Sequence, residues 1–245
     1  MAYSAMRPDG MAVIPAMAAS GEERLVFLRK VYSLMFTGLL VFGAVAVLPI
    51  IGMVAHIPGL EGIGRLAIGI HPMISFGVLI VSSMLLHSIE RVPGLNLIAL
   101  YGMAAVWGFV SVPLMAYAMF YAGGVAVVLQ ALGLTTLVFG GLTAYVFLSR
   151  KDFSFMGGML MVGSFVLLGA IVIAMIAQFA GFPISLMSTA MSVFATILFM
   201  GYVLYDTSQV LHRYSTDMAV PAALALMVDF IILFRNILYL MSSRR

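Results

Sequence analysis

Seven long apolar segments constrain the fold of this chain more than any other feature of its sequence. A helix that spans a bilayer needs about 20 predominantly apolar residues, and the charged residues and Gly/Pro breaks divide the chain into segments of about that length. Only 9% of the residues are charged, against about a quarter in a soluble domain. We therefore expect an all-α polytopic membrane protein with seven transmembrane helices, six of them surrounding a central C-terminal helix. The predicted spans are Tyr32–Ala55, Leu66–Ile89, Gly94–Phe120, Gly124–Leu148, Met156–Ala180, Pro183–Val210 and Ala219–Met241.

Lysine and arginine residues are distributed unevenly between alternate loops. If the N-terminus is inside, the outer loops before the last span contain only Arg65. Because Lys and Arg in short loops are retained on the cytoplasmic side, we expect a multi-pass protein of the cell inner (plasma) membrane with a cytoplasmic N-terminus. Arg244 and Arg245 would then lie outside after seven full spans. Either the last segment crosses only partly and returns, or the earlier bias overrides these two charges. The inner loops contain Arg24, Arg29, Lys30, Arg91, Arg150, Lys151 and Arg213.

The start of the chain is polar and has no continuous apolar core. Asp9, Glu22 and Glu23 occur within residues 1–24, so this stretch does not look like a cleaved secretory signal. We expect residues 1–24 to form a disordered cytoplasmic tail and residues 25–245 to form the seven-helix transmembrane domain.

Several functional classes are excluded by missing residue types. The absence of cysteine excludes disulfides, thiolate catalysis and Cys-based metal sites. No more than two basic residues are adjacent, so no groove for nucleic acid is expected. The four histidines lack metal-binding spacing and no GxSxG motif occurs. The only lysines, Lys30 and Lys151, lie in loops, which excludes a retinal protein. We do not expect an enzyme.

Two aspartates within the predicted spans are the main candidates for function, because burying a charge in a membrane costs about 2.5 to 3.5 kcal/mol on insertion scales. Asp206 lies near the end of the sixth span and Asp229 in the middle of the seventh. Their midpoint falls at Asp217 and Met218, the polar break between the spans. In an antiparallel hairpin that turns there, both would lie roughly 17 Å from the turn. We therefore expect them at equal depth and able to meet.

Two carboxyl groups in contact inside a membrane tend to share a proton. Such a pair can act as a pH sensor. It also offers two hard oxygen ligands, which suit weak, passing contact with Ca²⁺ better than the six to eight oxygens of a storage site. The alternative is that Asp206 and Asp229 each face a polar neighbour or cap a helix independently.

Other ionisable residues are weaker candidates for a latch or a gate-side role. Arg235 lies six residues after Asp229 and about 240° around the helix, so the two do not share a face. It can instead extend toward the nearer membrane surface. His87 and Arg91 lie at the inner end of the second span, where a histidine can titrate near neutrality; an ordinary solvated loop edge is the alternative.

Five stretches of sequence, in order, resemble the Bax inhibitor-1 family, also called the transmembrane Bax inhibitor motif family, and especially its bacterial members. The resemblance spans roughly residues 27–240. It includes the Gly108, Ser111 and Pro113 pattern and the loop from Arg150 to Phe153. The stretches are FLRKVYSLMFTGLL, GMAAVWGFVSVPLM, TAYVFLSRKDFSFMGGML, YDTSQVLHRY and ALMVDFIILFRNIL.

The resemblance implies a six-helix shell around a central hydrophobic helix and a pH-sensitive calcium leak. In the family, paired aspartates form the pH sensor and part of the pore closure, and Asp206 and Asp229 stand at those positions. An arginine of the second helix acts as a latch in some bacterial members, and Arg91 is the nearest basic residue here. Arg235 and Asn236 depart from the more apolar last helix of the family. No tightly bound cofactor is implied, and Ca²⁺ is the permeant ion.

The alternative function implied by the resemblance is regulatory. Some bacterial relatives bind a membrane-anchored AAA protease and restrain its degradation of membrane proteins. The N-terminal stretch, residues 1–23, is the feature that such a protease would engage. The expected partners are therefore the lipid bilayer, Ca²⁺ and protons, with an AAA protease as a candidate and no nucleic acid.

Overall fold

Eight α-helices make up nearly all of the described part of the chain. The computed structural model describes residues 16–70, 72–89, 92 and 94–243, without the side chains of residues 17, 72, 73 and 87. No strand occurs within these residues, and the prediction of an all-α polytopic membrane protein is confirmed. The helices are α1 (Gly21–Val54), α2 (Leu60–Gly69), α3 (Pro72–Ile89), α4 (Asn96–Tyr121), α5 (Val125–Ser149), α6 (Gly157–Phe179), α7 (Ser185–His212) and α8 (Ala219–Ser242), with short 3₁₀ turns at Ala16–Ala18 and Ser154–Met156.

Six of the described helices are long and apolar enough to cross a membrane, and a bent pair supplies up to one more. The predicted second span, Leu66–Ile89, is wrong as a single helix. The chain instead bends by 105° between α2 and α3. Pro72 begins α3. Proline lacks the N–H that would continue α2 and disfavours helical geometry in the residue before it. This chemistry favours a break between α2, which ends at Gly69, and α3.

The first helix begins earlier than the apolar pattern predicts. Ser20 caps α1, and its hydroxyl accepts a hydrogen bond from the backbone N–H of Glu23 at 3.3 Å. The Glu23 carboxylate accepts the backbone N–H of Ser20 at 3.0 Å in return. This reciprocal cap lets polar residues start a helix. The predicted boundary of the tail at residue 24 therefore lies inside α1, and residues 1–15 of that tail lie outside the described residues.

The last helix, α8, lies in the interior of the bundle. In its most apolar stretch 56% of the residues are buried, compared with 11% to 39% in the other five long helices. It packs extensively against α1, α4, α5 and α7. Two edge-to-face pairs of aromatic rings hold it in place. The ring centre of Phe234 lies 6.1 Å from that of Phe42 of α1, and the ring centre of Phe230 lies 5.4 Å from that of Phe139 of α5. The predicted ring of six is thus incomplete around α8, because α6 packs mainly on α7, and α3 on α4.

A glycine allows α1 and α4 to approach closely. A Cβ atom added to Gly108 would lie 2.7 Å from the carbonyl oxygen of Phe42 and 2.9 Å from the Cβ of Val45. Both distances are well below ordinary van der Waals contact. Small residues at helix contacts let membrane helices pack through their backbones, so Gly108 fixes the α1–α4 seam that supports one side of α8.

Candidate functional site

The structure brings the two predicted aspartates together. Asp206 of α7 and Asp229 of α8 lie in adjacent antiparallel helices, and their carboxyl groups are within hydrogen-bond distance of each other. Asp229 is only 4% exposed, and Asp206 is partly buried. The two helices pack along much of their length. We call this pair of carboxyl groups the aspartate dyad.

The two aspartates do not start from equal depths in their helices, contrary to the prediction. The connection between the helices runs from residue 213 to residue 218, so its centre lies before the predicted turn at Asp217 and Met218. Asp206 then lies six residues from the end of α7, and Asp229 ten residues from the start of α8. At 1.5 Å per residue the difference in depth is about 6 Å. Side chains lean toward the N-terminus of their own helix, and in this hairpin that tilt brings the two carboxyl groups toward each other.

The dyad has few polar neighbours. Asp229 Oδ2 is buried and has no hydrogen-bond donor among the described residues. Tyr202, one turn before Asp206, is close enough to interact electrostatically with both aspartates. The Tyr202 hydroxyl is engaged by the Ser164 hydroxyl of α6 at 2.8 Å. No Lys, Arg or His forms an ion pair with either aspartate in the described part of the chain. A shared proton or a passing cation is therefore what can neutralise the dyad.

Sequence reasoning missed a polar network that holds the α5–α6 loop against α7. The backbone N–H of Phe153 donates to the buried Ser208 hydroxyl at 2.9 Å, and that hydroxyl donates to Asp152 at 3.4 Å. The Gln209 amide donates to Ser154 at 3.4 Å. The sequence did contain a signal, because Ser208 lies two residues after Asp206 and the loop matched a characteristic family stretch. The loop is thus fastened to α7 within one helical turn of Asp206, on a different side of the helix.

Hydrogen bonds within the loop act on the ionisation of Asp152. Its carboxylate accepts from both the hydroxyl and the backbone N–H of Ser154, and these two bonds lower the pKa of Asp152 below its ordinary value. The charges of His212 and Arg213 at the end of α7 lower it further. Asp152 therefore stays ionised and keeps the loop turn closed at neutral pH.

Arg235 lies away from the dyad. Its guanidinium carbon is 5.2 Å from the centre of the Trp107 ring of α4, a cation–π contact. No described carboxylate lies within ion-pair distance of it. The other two latch candidates are not placed: Arg91 lies outside the described residues, as does the side chain of His87.

The arrangement can exchange a proton, and it can offer two carboxylates to a hard cation. Within the described residues, no group of three or more His, Asp or Glu side chains is arranged to hold a metal ion. Two carboxylates fall short of the six to eight oxygens that bind Ca²⁺ tightly. The dyad therefore suits transient contact with a cation.

Comparison with known proteins identifies the relatives of this fold. The sequence family described as "Inhibitor of apoptosis-promoting Bax1" matches residues 24–245. An uncharacterized protein of Campylobacter jejuni is 32% identical over 154 residues, which cover 63% of this chain and 64% of that protein. Bax inhibitor 1 of Schizosaccharomyces pombe is 36% identical over 115 residues, covering 47% of this chain and 42% of the yeast protein. The match thus spans less than two thirds of either relative. Protein lifeguard 4 of Mus musculus is 30% identical over 222 residues, covering 90% and 86% of the two chains.

The family match includes the α5–α6 loop and both aspartates, and it agrees with the resemblance seen in the sequence motifs. This chain belongs to the Bax inhibitor-1 family.

Proposed function

We propose that this protein passes Ca²⁺, or a related cation, down its gradient across the cell inner membrane, under the control of the aspartate dyad. One observation carries the proposal: Asp206 and Asp229 hold their carboxyl groups within hydrogen-bond distance in the bundle interior. A structural role alone gives no reason to put two acids side by side in an apolar core, because their mutual repulsion and burial are both costly.

The dyad can couple protonation to an opening of the bundle. With one shared proton the two carboxyl groups attract each other and hold α7 against α8. When that proton is lost, two negative charges repel each other in a low-dielectric site. The same two charges then attract a divalent cation. Protonation and cation entry therefore compete for the same oxygens.

Flux measurements across pH test this mechanism. The full chain is reconstituted into liposomes that contain a Ca²⁺ indicator, and influx is recorded at several pH values for the wild type, Asp206→Asn and Asp229→Asn. We expect pH-dependent influx in the wild type and loss of that dependence in both variants, since asparagine cannot release the proton. Glu61→Gln, which changes an acid of α2 paired with Arg65, is the matched control. Unchanged influx with unchanged pH dependence in both aspartate variants would refute the dyad mechanism.

A second candidate function is modulation of a membrane-anchored AAA protease. The observation in its favour is that the root of the N-terminal tail is anchored: Ala16 is fully buried, and its N–H donates to the carbonyl of Tyr214 at 2.9 Å. Ala16, the first described residue, therefore lies beside the α7–α8 connection, on the side that we assign to the cytoplasm from the loop charges.

Deleting residues 2–15 separates the two functions. If the tail engages the protease, the deletion abolishes protection of membrane-protein substrates in a reconstituted degradation assay and leaves Ca²⁺ influx unchanged. Replacing the same residues by a Gly/Ser linker of equal length controls for length. Full protection by the deleted protein would exclude the tail as the point of engagement.

A further inference from the structure

A cavity lies outside the dyad, in the gap between α3 and α6. Its volume is about 630 Å³, which is within the usual range of small-molecule pockets. Residues of α3, α4, α6, α7 and α8 line it, and most of them are apolar. Met84 of α3 and Leu168 of α6 belong to the lining and are 70% and 41% exposed, so the cavity opens to the surface of the bundle that faces lipid.

The polar lining of this cavity consists of neutral side chains (serines, an asparagine and a tyrosine) and one cation, Arg235. Arg235 and Asn236 of α8 lie in its wall beside Trp107. The Arg235 Nε atom is buried and has no hydrogen-bond partner among the described residues, and no described carboxylate is close enough to form an ion pair. Asn236 donates its amide hydrogen to the carbonyl of Ile232 at 2.8 Å. The cavity therefore has an unmatched positive charge, which is costly in an apolar site.

The position of the guanidinium leaves its hydrogen-bonding edge unused. The Arg235 guanidinium carbon lies over the ring of Trp107, 5.2 Å from its centre. A guanidinium in a cation–π contact can still form two parallel hydrogen bonds with a carboxylate through its N–H groups. The charge also makes this cavity unsuitable for a permeating divalent cation. An anion with an apolar body matches both parts of the site.

We propose that this cavity binds a single-chain amphiphile with a terminal carboxylate, a long-chain fatty acid. The carboxylate pairs with Arg235, and the acyl chain occupies the apolar space between α3 and α6. Entry is lateral, from the membrane, since the mouth of the cavity is apolar and exposed. Neither aspartate of the dyad lines this cavity, although Ser164 in its wall is hydrogen-bonded to Tyr202 beside the dyad. The proposal does not depend on the proposed ion flux.

The sole tryptophan of the sequence, Trp107, lies in the cavity wall and provides a direct readout. The full chain is placed in nanodiscs of uncharged lipid and titrated with a fatty acid that carries bromine atoms on its chain, which quench tryptophan fluorescence. The matched probes are the brominated alcohol of the same length and a brominated two-chain anionic phospholipid. We expect saturable quenching by the acid and weaker binding of the alcohol.

Three variants test the assigned contacts. Arg235→Met should weaken binding of the acid roughly tenfold or more, because a hydrogen-bonded charge is lost, and should leave binding of the alcohol unchanged. Arg235→Lys should restore part of the affinity. Ser83→Phe fills the cavity from α3 and should block both single-chain probes without altering the charge. Arg213→Gln, outside the cavity, is the control and should bind like the wild type.

The opposite results would overturn the proposal. Equal quenching by acid and alcohol in the wild type and in Arg235→Met would mean that membrane lipid tails fill the cavity without recognition of the headgroup. Saturable quenching by the two-chain phospholipid but not by the fatty acid would assign the site to a membrane phospholipid. If Arg235→Met does not fold, an unchanged affinity for the acid in Ser83→Phe would still reject the cavity as its binding site.

Discussion

Replacing Ser208 by alanine should release the α5–α6 loop from α7. The Ser208 hydroxyl is the acceptor for the backbone N–H of Phe153, at 2.9 Å, and both residues are buried. Alanine leaves that N–H without a partner, which costs about 1 to 3 kcal/mol. The neighbour Thr207 is equally buried, but its hydroxyl has no hydrogen-bond partner among the described residues. Thr207→Val therefore removes no hydrogen bond, and we expect it to be neutral or slightly stabilising.

Amide hydrogen exchange, followed by mass spectrometry on peptides that contain Phe153, measures this difference. If the loop opens locally, exchange at Phe153 in Ser208→Ala should be roughly 5- to 150-fold faster than in the wild type, as expected for a loss of about 1 to 3 kcal/mol. Thr207→Val should exchange at the wild-type rate. Equal exchange in Ser208→Ala and the wild type would refute the role of this hydrogen bond, and so would equal acceleration in both variants.

Three further predictions concern packing, pH and topology. Gly108→Val should destabilise the solubilised protein by about 1 to 3 kcal/mol and lower its thermal midpoint, because the added Cβ meets the backbone of α1. Gly140→Val is the control and should leave the thermal midpoint nearly unchanged, because no atom lies within 4 Å of the added Cβ. Asp152→Asn should weaken the loop at neutral pH by no more than about 1 kcal/mol, since the side chain is exposed. The hydrogen bonds from Ser154 lower the pKa of Asp152, so ionised Asp152 stabilises the loop at pH values above the ordinary carboxyl pKa. This stabilisation should disappear as the pH falls below about 4. Amide hydrogen exchange of the loop, measured across pH, tests this. A cysteine at Arg245 should be labelled by an impermeant reagent from outside the cell if seven spans cross, and labelling from the inside only would contradict that topology.

The sequence allowed the fold to be predicted where a single physical rule dominates. Apolar length, together with the charged residues and Gly/Pro breaks, located α4 through α8 to within about two residues, because a membrane helix needs a minimum apolar span. The same rules failed at Leu66–Ile89. No Asp, Glu, Lys or Arg interrupts that segment, and the break at Pro72 depends on backbone chemistry that apolar length does not include. They also failed at the start of α1, where a polar cap decides the boundary.

The part of the candidate site that could be predicted from the sequence is the part that depends on one physical rule, the cost of placing an acid in a membrane span. Asp206 and Asp229 were conspicuous because acids are rare in apolar spans, and a hairpin was enough to bring them together. The network of Ser208 with the α5–α6 loop joins residues more than fifty positions apart, and nothing in their spacing indicates that they meet. The sequence leaves Arg235 as a latch candidate or as a residue that extends toward the nearer surface, because its contact with Trp107 depends on how α4 packs against α8.

The buried position of α8 has a consequence for how the protein is made. The other seven helices precede α8 in the chain, so they leave the ribosome and enter the bilayer before the segment that fills their centre. Until α8 arrives, the inward faces of α1, α4 and α5 have lipid or water where Phe230 and Phe234 will later pack. The helix that completes the bundle also carries Asp229 and Arg235, which makes it costly to insert on its own. Closure of the bundle therefore has to wait for α8, and a chain interrupted before residue 219 would lack the helix that fills its centre.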